Sequence, residues 1–143
     1  METELVISFR CQNTKQRDFL TLMLSDDANR PLFEEDVNPE LRKWFHALED
    51  VDSADWVSAG KGYTVHAGWF PGCEFEETLM EIDSCLRKAD VEEMRAVVAG
   101  DEGWYMLWLQ QNGTLKEYSS LQGMELDELF DGVDDLAVVL DTL

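Results

Sequence analysis

The stretch from Glu93 to Tyr118 constrains the fold more than any other part of the chain. EMRAVVA and WYMLWLQ are separated by the quartet Gly100 to Gly103, and WYMLWLQ and TLKEY by Asn112-Gly113. Asn-Gly between two strand-forming runs is the strongest short hairpin signal, because the favoured two-residue turn needs positive φ at both central positions. Residues 93–119 therefore read as a three-stranded antiparallel meander. Its middle run sets Trp104, Met106 and Trp108 on one side and Tyr105, Leu107 and Leu109 on the other, so both sides are apolar. Either this strand is central and covered on both faces, or its aromatics stand on an open face. In the second case Trp104, Met106 and Trp108 are candidate partner-binding residues, since Trp, Tyr and Arg dominate interface hot spots.

The remaining elements follow from periodicity. Leu5, Ile7, Phe9 and Cys11 alternate within residues 4–12, as in a half-buried strand. The short apolar run RDFLTLMLS, Arg17 to Ser25, fits either the second strand of a hairpin or a buried helical turn, and is read as a second strand. Asn38-Pro39 opens a helix over 39–49 whose Leu41, Trp44, Phe45 and Leu48 form one face. Gly60 and Gly62 mark a turn between Trp56-Val57 and a strand from Tyr63 to Phe70. A helix over 74–88 carries the stripe Phe75, Leu79, Ile82 and Leu86, with Glu74, Glu76 and Glu77 in its first turn and Arg87 and Lys88 in its last, complementing the helix dipole. A helix over 125–141, with a possible break at Gly132, presents Leu126, Leu129, Phe130, Val133, Leu136, Ala137 and Leu140 for docking on a sheet. The expected class is α+β: one domain over 1–143, a mainly antiparallel sheet and about three helices.

Charge narrows the function classes. The chain holds 31 acidic and 11 basic residues, a formal net charge of −20, divided as −6 over residues 1–72 (13 acids, 7 bases) and −14 over 73–143 (18 acids, 4 bases). Such a field repels nucleic acid and anionic membranes and draws in cationic surfaces. Direct nucleic-acid binding, which rests on clustered Lys and Arg, is not expected. No charged leader or apolar run of about 18 residues opens a route to a membrane, so a soluble cytoplasmic protein is expected. Cys11, Cys73 and Cys85 lie outside any CxxC pair and read as buried thiols, with no disulfide framework or zinc site.

Motifs for chemistry fail at named positions. A calcium loop starting at Asp127 would put Gly132 correctly at its sixth place, but Leu129 and Val138 occupy ligand places. A looser cation site at Asp131, Asp134 and Asp135 is the metal reading left open. Gly60-Lys61-Gly62 lacks the earlier Gly and the following Ser or Thr of a phosphate loop. Only His46 and His66 could serve as imidazole bases, and neither falls beside a nucleophile in the expected elements. No catalytic residue, cofactor or metal is therefore assigned, and no enzyme is indicated.

What exceeds the needs of folding is the wet side of the C-terminal segment: Asp127, Glu128, Asp131, Asp134 and Asp135. At helical spacing Asp127 with Asp131, and Asp131 with Asp135, repel by roughly 0.2–0.5 kcal/mol per pair. Asp141 stands in a last turn, where the dipole prefers a cation. These acids and the Trp104–Trp108 side are the candidate binding surface for a basic protein partner, a toxin or a nucleic-acid-binding protein. Small size, acidity and aromatic richness are similar to those of bacterial immunity proteins that neutralise nuclease toxins, a likeness of composition alone. Two other readings compete: a DNA mimic that inhibits a DNA-binding or defence protein, and a soluble domain or small-molecule enzyme whose acidity serves solubility.

Overall fold

Six strands pair in the order β2-β3-β1-β4-β5-β6, every neighbour antiparallel, in a computed structural model that describes residues 3–25, 53–72, 75–89 and 91–143. The strands are β1 (Thr3–Arg10), β2 (Trp56–Ala59), β3 (Thr64–Trp69), β4 (Glu92–Gly100), β5 (Tyr105–Gln111) and β6 (Thr114–Tyr118). The helix expected over 39–49, with His46, and Cys73 lie outside the described residues. The class is α+β, as the sequence implies.

The meander forms as expected. Asn112 at φ 52° and Gly113 at φ 77° give the double positive φ of a tight hairpin turn. The loop between β4 and β5 closes through Gly100 N donating to Trp104 O at 2.9 Å, with Gly103 at φ 89°.

Cross-strand register explains how the sheet is covered. One face carries the row Val57, Ala67, Ile7, Ala96 and Trp108 across β2, β3, β1, β4 and β5. This row belongs to a core completed by α1 (Thr14–Ser25) and α2 (Phe75–Lys88), through Leu20, Met23, Leu24, Leu79, Ile82 and Leu86. On the opposite face the row Trp56, Gly68, Val6, Val97, Leu107 and Tyr118 is apolar. The row beside it, Ser58, His66, Ser8, Arg95, Leu109 and Lys116, is polar except for Leu109. Half of this face therefore needs an apolar lid and half does not.

The C-terminal segment supplies that lid. A small hairpin, β7 (Ser120–Leu121) and β8 (Met124–Glu125), leads into α3 (Leu126–Phe130) and α4 (Leu136–Asp141). Leu126, Phe130, Ala137 and Leu140 are buried against Val6, Val97, Leu107 and Leu109.

One expectation is corrected, and the break allowed for at Gly132 is observed. Residues 17–25 are helical: α1 buries Gln16, Phe19, Leu20, Met23 and Leu24, which recur at helical spacing. Its start lies just outside the apolar run, where Asn13 Oδ1 accepts from Gln16 N at 2.9 Å and Gln16 Oε1 accepts from Gln12 N at 2.6 Å, a reciprocal arrangement close to a capping box. The segment 125–141 is two short helices, because Gly132 takes φ 71° and the chain turns before Asp135 starts α4. The break removes the helical spacing between Asp131 and Asp135, and with it the repulsion expected there.

Phe130 is fully buried and stacks at 5.4 Å from Tyr105, so it anchors the lid. Phe130→Ala should lower unfolding free energy by about 3–5 kcal/mol in urea denaturation, with Leu126→Ala following at about 2–4 kcal/mol.

Candidate functional site

The seven acids from Glu125 to Asp141 separate into those the fold uses and those it leaves over. Asp135 caps α4, its Oδ1 accepting from Ala137 N at 3.1 Å. Asp141 reaches over the polar row of the sheet: its Oδ2 lies 2.8 Å from His66 Nε2, and its Oδ1 accepts from the Ser8 hydroxyl. Ser8 and His66 are only 2% and 8% exposed, so this carboxylate satisfies two buried polar groups and clasps the end of α4 to β1 and β3. Arg95 Nη1, 3.4 Å from Leu140 O, brings a cation to the same helix end. The acid that opposed the helix dipole in sequence is thus held by tertiary partners.

Ser8, Asp141 and His66 do not form a hydrolytic triad. There the imidazole stands between hydroxyl and carboxylate and takes the hydroxyl proton. Here the carboxylate stands between the other two, and the serine donates to an oxygen that is too weak a base to activate it. Cys11 is no better a nucleophile, since burial pushes its thiol up to about 12 against a smaller opposing pull from Arg17.

Glu125, Asp127, Glu128, Asp131 and Asp134 are exposed and form no ion pair with a described residue. Asp131, Asp134 and Asp135 do not converge: among the described residues no group of three or more His, Cys, Asp or Glu is placed to hold a metal ion. Glu125 and Asp127 instead line a groove of about 380 Å³ between the start of α3 and the β5–β6 pair. Glu117 on the edge strand joins them, and the half-buried Trp104, Tyr105, Met106 and Tyr118 also line it. Lys116 Nζ already lies 5.4 Å from the Tyr118 ring centroid, a cation–π distance.

The groove brings together three sequence candidates, Trp104, Met106 and Asp127, and burial removes a fourth. Trp108 is 5% exposed and belongs to the core under α1 and α2, so it is not an open anchor. Trp104 and Met106 are partly buried against the same core, and the Trp104 ring stands 6.1 Å from Phe75. Gly100 permits that packing, since an added Cβ would lie 2.2 Å from the indole. Sequence reading missed Glu117, Glu125, Tyr105 and Tyr118, which approach Asp127 only because the β7–β8 hairpin folds the tail back beside β6. The Gln122-Gly123 pair, at φ 54° and 81°, was the readable signal for that hairpin.

One strained residue stands on the polar half of the sheet. Ser8 pairs Arg95 while Arg10 pairs Glu92, so Phe9 alone opposes Glu93 and Met94, a β-bulge. Glu93 sits in it at φ 62°. A left-handed non-glycine residue costs about 1–2 kcal/mol. Gln110 Oε1 accepts from Met94 N at 3.0 Å, supporting the bulge from β5.

Compared with protein-family models, curated proteins and solved structures, the chain matches none of them. Among the described residues no helix is long and apolar enough to cross a membrane.

Two stability measurements check these assignments. Asp141→Ala should lower unfolding free energy by about 1–2 kcal/mol, because it strips two buried partners, whereas Asp134→Ala should change it by less than about 0.5 kcal/mol. Glu93→Gly should raise it by about 1 kcal/mol by relieving the left-handed strain.

Proposed function

We propose that the protein is a binding module that captures a basic protein partner through the groove between β6 and α3, most concretely as an immunity or antitoxin-type inhibitor of a nuclease-like toxin. The observation that carries this reading is the joint lining of one open groove by three aromatics, Trp104, Tyr105 and Tyr118, and three carboxylates, Glu117, Glu125 and Asp127. A guanidinium or ammonium side chain would pair there with the carboxylates, its apolar stem lying along the half-buried aromatics. Exposed Glu128, Asp131 and Asp134 extend the negative field beyond the groove and would speed the encounter with a cationic surface. Nuclease grooves are basic because they hold phosphates, so they suit this arrangement. Asp135 and Asp141 serve as a helix cap and as the clasp on His66 and Ser8, so two of the seven acids of the tail are withdrawn from any phosphate-like array, which favours a protein-directed surface over a DNA mimic.

The test uses an octa-arginine peptide and an octa-lysine peptide as probes, followed by the product of the reading frame beside the gene where that product is a basic nuclease. Glu117→Gln, Glu125→Gln and Asp127→Asn together should weaken octa-arginine binding about tenfold and flatten its salt dependence. Asp131→Asn with Asp134→Asn, outside the groove, should weaken it by no more than about twofold. Equal losses in the two variants, or binding indifferent to salt, would remove the groove from the account. Failure to block the neighbouring nuclease would remove the inhibitor role.

A further inference from the structure

The polar half of the sheet, which no described helix covers beyond Asp141, carries a second site. α4 ends at Asp141, and beyond it the face of β3, β1 and β4 opens into a cavity of about 480 Å³, a size suited to a small ligand. Arg10, Lys61 and Arg95 line it, three of the eleven basic residues in the chain. With 31 acids available, none of these three forms an ion pair with a described carboxylate. Arg95 stands on the sheet floor beside Ser8, and Arg10 and Lys61 are exposed at the rim. Arg10 lies 5.8 Å from the Tyr63 ring centroid, and Tyr63 also lines the cavity.

Glu93 is the independent sign that this place is built for more than folding. The bulge would form more easily with glycine, yet it carries a carboxylate, and that residue lines the cavity. Backbone strain of this kind gathers at functional sites. Asp141, the other acid at the cavity, has both oxygens engaged by His66 and Ser8. The groups without an ion pair among the described residues are therefore cations that fit an oxyanion and one carboxylate that fits a donor.

We propose that this cavity binds a small molecule bearing an oxyanion, a phosphate ester or a carboxylate, together with an ammonium or hydroxyl group. Arg10, Lys61 and Arg95 hold the oxyanion, and Glu93 accepts from the donor group. The net charge of −20 does not prevent this. At physiological ionic strength, charges farther than about 8 Å are largely screened, so a bound anion responds to the cations that touch it.

Calorimetric titrations with inorganic phosphate, phosphoethanolamine and β-alanine on the intact chain test the proposal, with the two amine-bearing probes separating phosphate from carboxylate recognition. One of those two should bind one to one with a Kd below about 10 mM and at least about fivefold tighter than inorganic phosphate. Arg10→Gln with Lys61→Gln, both exposed and so compatible with folding, should weaken it at least about tenfold, whereas Lys88→Gln on α2 should leave it unchanged. Glu93→Gln should erase the preference for the amine-bearing probe. Absence of binding by both amine-bearing probes at about 10 mM, or an unchanged affinity in the rim variant, overturns the site. Inorganic phosphate binding as tightly as phosphoethanolamine, with β-alanine silent, overturns the role of Glu93.

Discussion

A sheet that is apolar on both faces has to be covered twice, and the rest of this structure depends on that requirement. The meander strands β4 and β5 send Val98 and Trp108 one way and Val97 and Leu107 the other, all of them buried. α1 and α2 cover the first face. The second is closed by the tail, whose short helices bring Leu126, Phe130, Ala137 and Leu140 onto it. Burial contributes roughly 1.5–3 kcal/mol for each large apolar side chain, enough to hold two helices too short to be stable alone.

The tail covers only what needs covering, and both candidate sites are its borders. At one end, the β7–β8 hairpin brings Glu125 and Asp127 beside the edge strand, so carboxylates meet the aromatic ends of β5 and β6. At the other, Asp141 clasps His66 and Ser8, and the polar row beyond it stays open with Arg10, Arg95 and the strained Glu93. One segment therefore separates an acidic surface from a basic pocket within a strongly acidic chain.

Much of the architecture was legible because it is locally encoded. Asn112-Gly113 specifies its turn through backbone sterics, and the α2 stripe with its ordered charges needs no distant partner. The α1 segment was misread because its helical signal, Asn13 with Gln16, precedes the apolar run that drew the assignment of a strand. Gly132 was legible as a break, but its consequence, two helices with Asp135 as a cap, depended on where the sheet needed its lid. Trp108 shows the limit of alternation: period two gives the side on which a residue lies, while its burial depends on what packs there.

By itself the sequence determined the α+β class, the antiparallel meander, the amphipathic character of the tail and the excess of acid, because each rests on near-neighbour periodicity, turn sterics or simple composition. Only the tertiary structure decided which acids are free. Asp141 is 75 residues from His66 and 133 from Ser8, and Asp127 shares a groove with Trp104 only because the tail folds back. Such pairings arise from strand register and lid placement, which minimise exposed apolar area over the whole sheet, and no local window of sequence contains that sum.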